Sequence, residues 1–198
     1  VVGCGRLRGT HRRIGMDDSI PLAERITLYF DGSCQENRNV TAETPAGWGV
    51  VVVRGDSGLG KGDGEVIEEL SGPVIVSSEE EGFLGAEVGS NNTGELSAMA
   101  HALRWLLMEG STDSVTIRGD SQYALKISTG EWRAKANREL AARVQALWAE
   151  VTSLRTVVAE HIRAHRGHRW NERADHLAWR ACIGETPLPL QFWKPGNR

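Results

Sequence analysis

Hydrophobic and polar positions along the chain predict five strands and four helices. Strand-like runs rich in β-branched residues occur at 26–30, 47–53, 65–70, 114–118 and 156–162, and an extension of the third run to 74–76 stays open. Apolar residues recur at helical spacing from Leu96 to a stop near Gly110, and further helical patterns cover 122–128, 137–152 and 171–182. The four consecutive valines at 50–53 predict a strand that is buried on both faces.

The order of these elements predicts an α/β fold with a five-stranded mixed sheet. Short connections favour antiparallel pairing of the first three strands, whereas helical crossovers place the fourth and fifth strands parallel to the first. Helices then cover both faces of the sheet. We expect one domain at 25–183, preceded by a flexible arm at 1–24 and followed by a tail at 184–198.

Composition narrows the class of protein further. With 40% hydrophobic and 25% charged residues in 198 positions, the chain has an ordinary globular composition. No apolar run approaches the roughly 20 residues that cross a bilayer, so we expect no membrane partner. The three cysteines are widely spaced without a CxxC pair, which argues against a disulfide framework and a structural zinc site and favours an intracellular, reducing compartment, cytoplasmic or nuclear. The chain opens with Val instead of Met, which suggests a fragment or a processed product.

Charge is distributed unevenly along the chain. The net charge of −3 argues against nucleic-acid binding by bulk attraction alone. Residues 61–95 hold nine acidic residues against one lysine, whereas residues 131–180 hold ten Lys or Arg against six Asp or Glu. The C-terminal part therefore offers either a solvated arginine-rich face or a basic surface beside an acidic site.

Glu95 stands out because it lies at the start of an otherwise apolar helix. One interpretation is a capping box, in which Asn92 is the N-cap and Glu95 reaches back to the N–H of Asn92. The other is a catalytic role, because three more acids stand where predicted strands end or helices begin: Asp31, Asp120 and Asp175. Asp31 and Asp120 would come from adjacent strands, at a region of the sheet where ligands bind.

The four acids together predict a metal site. Converging carboxylates repel one another unless protons or cations compensate their charge. Ligation by oxygen alone selects hard cations, here Mg²⁺ with Mn²⁺ as a substitute. Two such ions about 4 Å apart can activate a water molecule and stabilise the leaving oxygen of a phosphoryl displacement.

Four motifs, in order along residues 26–182, resemble those of the type 1 ribonuclease H family. They are Tyr29-Phe30-Asp31-Gly32-Ser33-Cys34, Asn91-Asn92-Thr93-Gly94-Glu95-Leu96, Gly119-Asp120-Ser121-Gln122-Tyr123 and the run from His165 to Asp175. The resemblance implies the ribonuclease H fold and a metal-dependent endonuclease that hydrolyses the RNA strand of RNA–DNA hybrids. It further implies two Mg²⁺ ions and products with 5′-phosphate and 3′-hydroxyl ends.

Individual residues match the family's functional positions. Asp31, Glu95, Asp120 and Asp175 match its metal-binding carboxylates, and His165 matches a mobile-loop histidine that assists product release or proton transfer. The expected substrate contacts are Gly32, Ser33, Asn91, Asn92, Gln122 and Asn137. Among these, the Asn pair and Gln122 match positions that hydrogen-bond in the hybrid's minor groove, where 2′-hydroxyls distinguish RNA from DNA.

The chain also departs from the bacterial members of that family. Only residues 131–136 stand where those enzymes carry a basic, tryptophan-rich protrusion, so the substrate handle is essentially absent. Such shortened forms occur in archaeal-type enzymes and in ribonuclease H domains of retroelement polyproteins. We therefore expect a monomer with weakened substrate affinity, either on its own or as part of a larger polyprotein.

Two competing functions follow from the same residues. One is a hybrid-binding module that has lost catalysis, which the four intact acids argue against. The other is a nuclease or integrase of the same broad fold that acts on DNA. The paired Asn91 and Asn92 argue against this function, because they favour recognition of ribose.

Overall fold

Three long strands and two short strands form the central sheet. The computed structural model describes residues 19–163 and 167–197. The strands are β1 (Ile26–Cys34), β2 (Ala46–Arg54), β3 (Glu65–Pro73), β4 (Val115–Gly119) and β5 (Val157–His161), in the order β3-β2-β1-β4-β5. The pairs β1–β2 and β2–β3 are antiparallel, whereas β4 runs parallel to β1 and β5 parallel to β4. The predicted mixed sheet is therefore confirmed.

Four helices cover the two faces of this sheet. They are α1 (Asn91–Glu109), α2 (Gln122–Ser128), α3 (Arg138–Leu154) and α4 (Arg169–Cys182), and a short 3-10 helix, Leu22–Glu24, precedes β1. Residues of α1, α2 and α3 build one apolar core, and α4 builds a second core on the opposite face. Within the described parts of the chain, no helix is long and apolar enough to cross a membrane.

The four valines of β2 connect the two cores. Val50 and Val52 pack with α1, whereas Val51 and Val53 pack with α4, and all four are fully buried. Alternate side chains of a strand point to opposite faces, so a strand covered on both sides needs apolar residues at every position. The prediction of a doubly buried strand is confirmed.

One predicted strand end is wrong. Asp31 does not end β1, because it pairs with Gly49 and the ladder continues to the Cys34–Ala46 pair. The extension of the third strand to 74–76, which the sequence left open, does not form: β3 ends at Pro73, although the N–H of Val74 still donates to the Ala46 carbonyl over 2.9 Å.

Ser90, and not Asn92, caps helix α1. The N–H of Thr93 donates to the Ser90 hydroxyl over 3.1 Å, and the N–H of Ser90 donates to the Thr93 hydroxyl over 2.9 Å. The capping role proposed for Glu95 is therefore wrong, since the reciprocal bonds lie two residues earlier. The predicted stop at Gly110 is correct, and this residue is left-handed with φ 75°.

Two segments outside the helices and strands are partly buried. The acidic connection 77–89 is not exposed throughout, because Leu84, Gly85 and Ala86 are buried and Gly85 accepts the N–H of Leu140 over 3.2 Å. The C-terminal segment 184–197 returns over α4, where Trp193 is 2% exposed. Residues 1–18 of the predicted arm lie outside the described residues.

Helix α4 approaches β2 without intervening side chains. A Cβ atom added at Gly47 would overlap the backbone of Ala178, and one added at Gly49 would overlap the Ala174 carbonyl and lie 2.8 Å from Leu177 Cβ. These two glycines therefore set the distance between α4 and the sheet.

We predict that Gly49→Ala destabilises the fold by about 1–3 kcal/mol, the usual cost of forcing an extra carbon into a packed interior. For a domain of this size the melting temperature should fall by about 2–4 °C per kcal/mol. Thermal unfolding measures the change. Ser71→Ala, at the exposed β3 position paired with Gly49, is the control and should change little; an equal loss in both variants would contradict the packing argument.

Candidate active site

Asp31 and Asp120 reach the same level of adjacent parallel strands. Tyr29 of β1 pairs with Arg118 of β4. Asp31 follows Tyr29 by two positions, and Asp120 follows Arg118 by two positions. Asp120 directly follows the last residue of β4, Gly119. Asp31 instead lies inside β1, so its carboxylate is fixed by strand geometry and not by a turn.

Glu95 lies over β1 because α1 touches the strand backbone. A Cβ atom at Gly32 would overlap the backbone N of Glu95, so only a glycine beside Asp31 permits this approach. The hydroxyl of Ser121 donates a short hydrogen bond to Glu95 Oε2. Burial raises the pKa of Glu95 to about 7, and the charge of Asp120 acts in the same direction while the Ser121 bond opposes it.

Asp175 comes to the site from the opposite face of the sheet. The preceding residue, Ala174, lies over Gly49, and Gly49 is the pairing partner of Asp31. Helix α4 therefore carries Asp175 toward Asp31, and the charge of Asp175 is one of the causes that raise the pKa of Asp31.

Burial and three like charges act on Asp31. This residue is 8% exposed, and burial is the largest cause of a pKa well above the ordinary range for Asp. The charges of Asp120, Asp175 and Glu95 follow in that order, while the N–H of Gly32 donates to Asp31 Oδ1 over 2.7 Å and partly offsets them. The fold thus brings all four predicted acids within electrostatic reach of one point.

Asp120 is held from α4 and from β5. Asn171 Nδ2 donates to Asp120 Oδ2 over 3.2 Å, and His161 Nε2 lies 3.1 Å from the Asp120 carbonyl oxygen. The N–H of Ile162 donates to the Gly119 carbonyl over 3.0 Å. Asn171 is 5% exposed, and its Oδ1 is buried without a hydrogen-bond partner within the described residues.

The donor set fits a hard cation, although the acids are not gathered into a closed shell. Among residues 19–163 and 167–197, no three His, Cys, Asp or Glu side chains stand close enough to form a metal-binding group. Carboxylates that lie near one another repel, so separation is the expected arrangement of the protein alone. Their oxygens and the unpartnered Oδ1 of Asn171 are the ligand type that Mg²⁺ and Mn²⁺ prefer.

The predicted substrate residues occupy different environments. Gly32 and Ser33 are buried in β1, where Ser33 is 3% exposed. Asn91 and Asn92 are the first two residues of α1, with Asn92 exposed, and Gln122 is exposed at the first position of α2. Two helix starts beside the acids therefore present amide side chains.

Asn137 and His165 differ from that group. Asn137 is 6% exposed, and its Oδ1 accepts the N–H of Glu87 over 2.9 Å, so it secures the connection before α1. His165 lies outside the described residues, as do Ala164 and Arg166.

Sequence reasoning missed three residues that position this site. Ser121 and Asn171 stand inside the motifs quoted above, but only the folded chain shows that they hold Glu95 and Asp120. Asn37 has no motif signal, and its Oδ1 accepts the N–H of Asn91 over 3.3 Å at the start of α1. His161 of β5 also contacts the site, through the backbone of Asp120.

Comparisons with known proteins agree with this geometry. The family model for RNase H matches residues 23–183. Ribonuclease H from Thermosynechococcus vestitus is 28% identical over 176 residues, which are 85% of this chain and 94% of that protein. The RNase H1 structure from the halophilic archaeon Halobacterium salinarum NRC-1 is 27% identical with a TM-score of 0.56, over 81% of this chain and 98% of that one.

A third relative was solved with nucleic acid. LC11-RNase H1, in complex with an RNA/DNA hybrid, is 26% identical with a TM-score of 0.57, over 81% of this chain and 98% of that one. Since the family model spans most of the chain and the sheet has the order and directions described above, the chain belongs to the ribonuclease H family of enzymes.

Proposed function

We propose that this protein is an endonuclease that hydrolyses the RNA strand of RNA–DNA hybrids and leaves 5′-phosphate and 3′-hydroxyl ends. The observation that carries the proposal is that α1, the end of β4 and α4 bring Glu95, Asp120 and Asp175 within electrostatic reach of the buried Asp31 of β1. The hybrid bound by the related LC11-RNase H1 supports the choice of substrate.

Two divalent cations, Mg²⁺ or Mn²⁺, would be held by the four carboxylates. When bound, such ions neutralise phosphodiester charge and supply hydroxide from water near neutral pH. The raised pKa values of Asp31 and Glu95 support this assignment, because burial and the neighbouring acids both disfavour the charged carboxylates and a bound cation would offset that cost.

The chain's own residues orient and restrain the acids. The N–H of Gly32, the hydroxyl of Ser121 and the amide of Asn171 each donate to a different carboxylate. Such donors keep the acceptor oxygens in place as charge changes during the reaction. His165, which precedes α4 in the sequence, would move a proton or assist product release.

Amide side chains would recognise the ribose. Asn91, Asn92 and Gln122 stand at two helix starts and offer both donors and acceptors to 2′-hydroxyl groups in the minor groove. Gly32 and Ser33 would contribute backbone contacts close to the scissile strand. Asn137 would act indirectly, through its bond to Glu87.

We predict that the purified protein cleaves labelled RNA–DNA hybrid with Mg²⁺ or Mn²⁺, and neither double-stranded RNA nor double-stranded DNA. EDTA should abolish cleavage, as should Asp31→Asn or Asp120→Asn, because each change removes one proposed ligand charge. A gel assay measures the products.

Asp113→Asn is the matched control, since it makes the same chemical change at an exposed aspartate in the connection between α1 and β4. It should retain full activity. Near-wild-type turnover by Asp31→Asn or Asp120→Asn would refute the assignment of these acids.

We also predict a pH-dependent gain in stability for Asp31→Asn without added metal. Because the folded pKa of Asp31 is raised, the folded state holds more protons than the unfolded state above about pH 4, and wild-type stability falls as pH rises. A tenfold difference in proton affinity between the folded and unfolded states changes the free energy of unfolding by about 1.4 kcal/mol. Each kcal/mol moves the melting temperature by about 2–4 °C. The variant should therefore melt several degrees above wild type at pH 8 and level with it at pH 4.

Wild type and Asp31→Asn must be compared at each pH, because the titration of His101 changes stability with pH in the opposite direction to that of Asp31. Burial lowers the pKa of His101 to about 4, so its contribution to stability grows as pH rises through the range up to about 6.5. That contribution is equal in both proteins and cancels. Mg²⁺ should raise the melting temperature of wild type more than that of the variant, and a pH-independent difference would contradict the electrostatic account.

Substrate binding should be weak at physiological salt. The connection between α2 and α3 is short. Lys126, in the last turn of α2, is already paired with Glu131 at 2.7 Å and lies over the Trp132 ring. Arg133 and Arg138 are exposed, while Arg169 lies over the Trp170 and Trp193 rings. Few cations are therefore available for phosphate.

We predict that Arg133→Gln lowers hybrid affinity and reduces the log–log salt slope by about 0.9, the value for one phosphate contact. KM should rise with kcat largely unchanged, because uniform binding affects only the former. Arg143→Gln, whose arginine pairs with Glu139, is the control. Nanomolar affinity at about 0.15 M salt, with the steep slope of six or more contacts, would reveal another basic surface.

A further inference from the structure

The glycine-rich connection between β2 and β3 is anchored at its base by a buried acid. We call residues 55–64 the platform loop. Asp56 is 5% exposed, accepts the hydroxyl of Tyr29 over 2.6 Å and pairs with Arg118 Nη1 at 3.1 Å. Its other oxygen accepts the N–H of Gly58 over 3.1 Å. One carboxylate thus joins the loop to β1 and β4.

The anchor lies within the sheet, next to the strand ends that carry the site. Arg118 is 6% exposed, and its Nε donates to Glu160 of β5 over 2.7 Å. Arg118 pairs with Tyr29 across β1 and β4, two residues before Asp31 and Asp120. Charge-assisted bonds of this kind in a buried setting are strong and directional.

The far side of the platform loop contacts the first turn of α4. The N–H of Arg169 donates to the Gly60 carbonyl over 3.1 Å, and Trp170 Nε1 donates to the Asp63 carbonyl over 2.9 Å. The N-cap of α4, His168, makes no side-chain capping bond. Because the first N–H groups of a helix lack partners within it, the loop supplies an acceptor that α4 does not supply itself.

We propose that Asp56 is a positioning residue: by holding the platform loop on Arg118 and Tyr29, it fixes the first turn of α4 and therefore Asn171 and Asp175. This inference rests on the proposed function, since it gives α4 a place in the reacting site. Asn171 lies one residue after Trp170 and donates to Asp120, so movement of the first turn changes the Asp120 contact directly.

Loss of Asp56 should loosen the loop without unfolding the protein. Arg118 keeps Glu160 as a partner, so no buried charge is left alone. Helix α4 remains packed on β2 through Gly47 and Gly49. Asp56→Ala should therefore displace the start of α4 by a small distance, and displacements of about 1 Å in a catalytic group can cost up to about 10²-fold in rate.

The experiment compares Asp56→Ala and Asp56→Asn with wild type by NMR and by hybrid cleavage. In metal-free protein labelled at tryptophan, Asp56→Ala should speed hydrogen exchange of the Trp170 indole N–H by about tenfold or more, because this group loses its acceptor at Asp63. On hybrid, kcat should fall about tenfold while KM stays within about twofold, since the amide groups that bind ribose do not touch the loop. Asp56→Asn should be intermediate, because its amide oxygen can still accept one bond.

Glu109→Gln is the control for general destabilisation. It removes the partner of Arg155, another buried arginine, which keeps the Asp113 carbonyl as acceptor at 2.6 Å. This variant should lower the melting temperature by a similar amount and leave kcat and the Trp170 indole unchanged. Equal loss of kcat in the two variants, or an unchanged Trp170 indole in Asp56→Ala, would overturn the proposal.

The two proposals can fail separately. Wild-type protein that does not cleave hybrid refutes the proposed function, whereas Trp170 exchange in metal-free protein still reports whether Asp56 holds α4.

Discussion

Repulsion among four carboxylates is the constraint on which the rest of the structure depends. Burial and, after it, the charges of three neighbouring acids raise the pKa of Asp31, and a fold that tolerates this must supply donors or cations. The chain supplies the donors Gly32, Ser121 and Asn171, each too weak to neutralise an acid but able to fix its direction. Under the proposed function, the remaining charge compensation falls to the cations that the acids would hold.

The buried arginines nearest to the acids bind other carboxylates. Arg118 stands two residues before Asp120 and binds Asp56 of the platform loop and Glu160 of β5. Arg173 stands two residues before Asp175, is 1% exposed and binds Glu69 through two hydrogen bonds of 2.7 and 2.8 Å. The local sequence thus carries positive charge close to the site, and each arginine has a carboxylate partner outside the four acids.

The sheet, its strand directions and the helix that follows the acidic connection could be predicted because they depend on patterns read along the chain. The buried run 50–53 is an example, since burial on two faces requires apolar residues at consecutive positions. Predictions failed where a contact with another residue or strand determines the local structure. Ser90 caps α1 because Thr93 lies within reach, and Asp31 stays inside β1 because β2 continues beside it. The four acids could be selected from their motifs, but their catalytic role stays a prediction, and the donors that hold them had no signal of their own.

Helix α4 shows why so much of a site lies outside its motifs. The helix contributes Asp175, but three separate segments hold it: the glycines of β2 below, the platform loop at its start, and the C-terminal segment above. In that last segment Trp193 lies under the guanidinium of Arg173, and the Asn197 carbonyl lies 3.0 Å from His176 Nδ1. A glycine-rich loop and a proline-rich tail look dispensable in sequence because their own composition predicts no packing. Their function depends on what they touch, and both touch the helix whose position decides whether the fourth carboxylate reaches the other three.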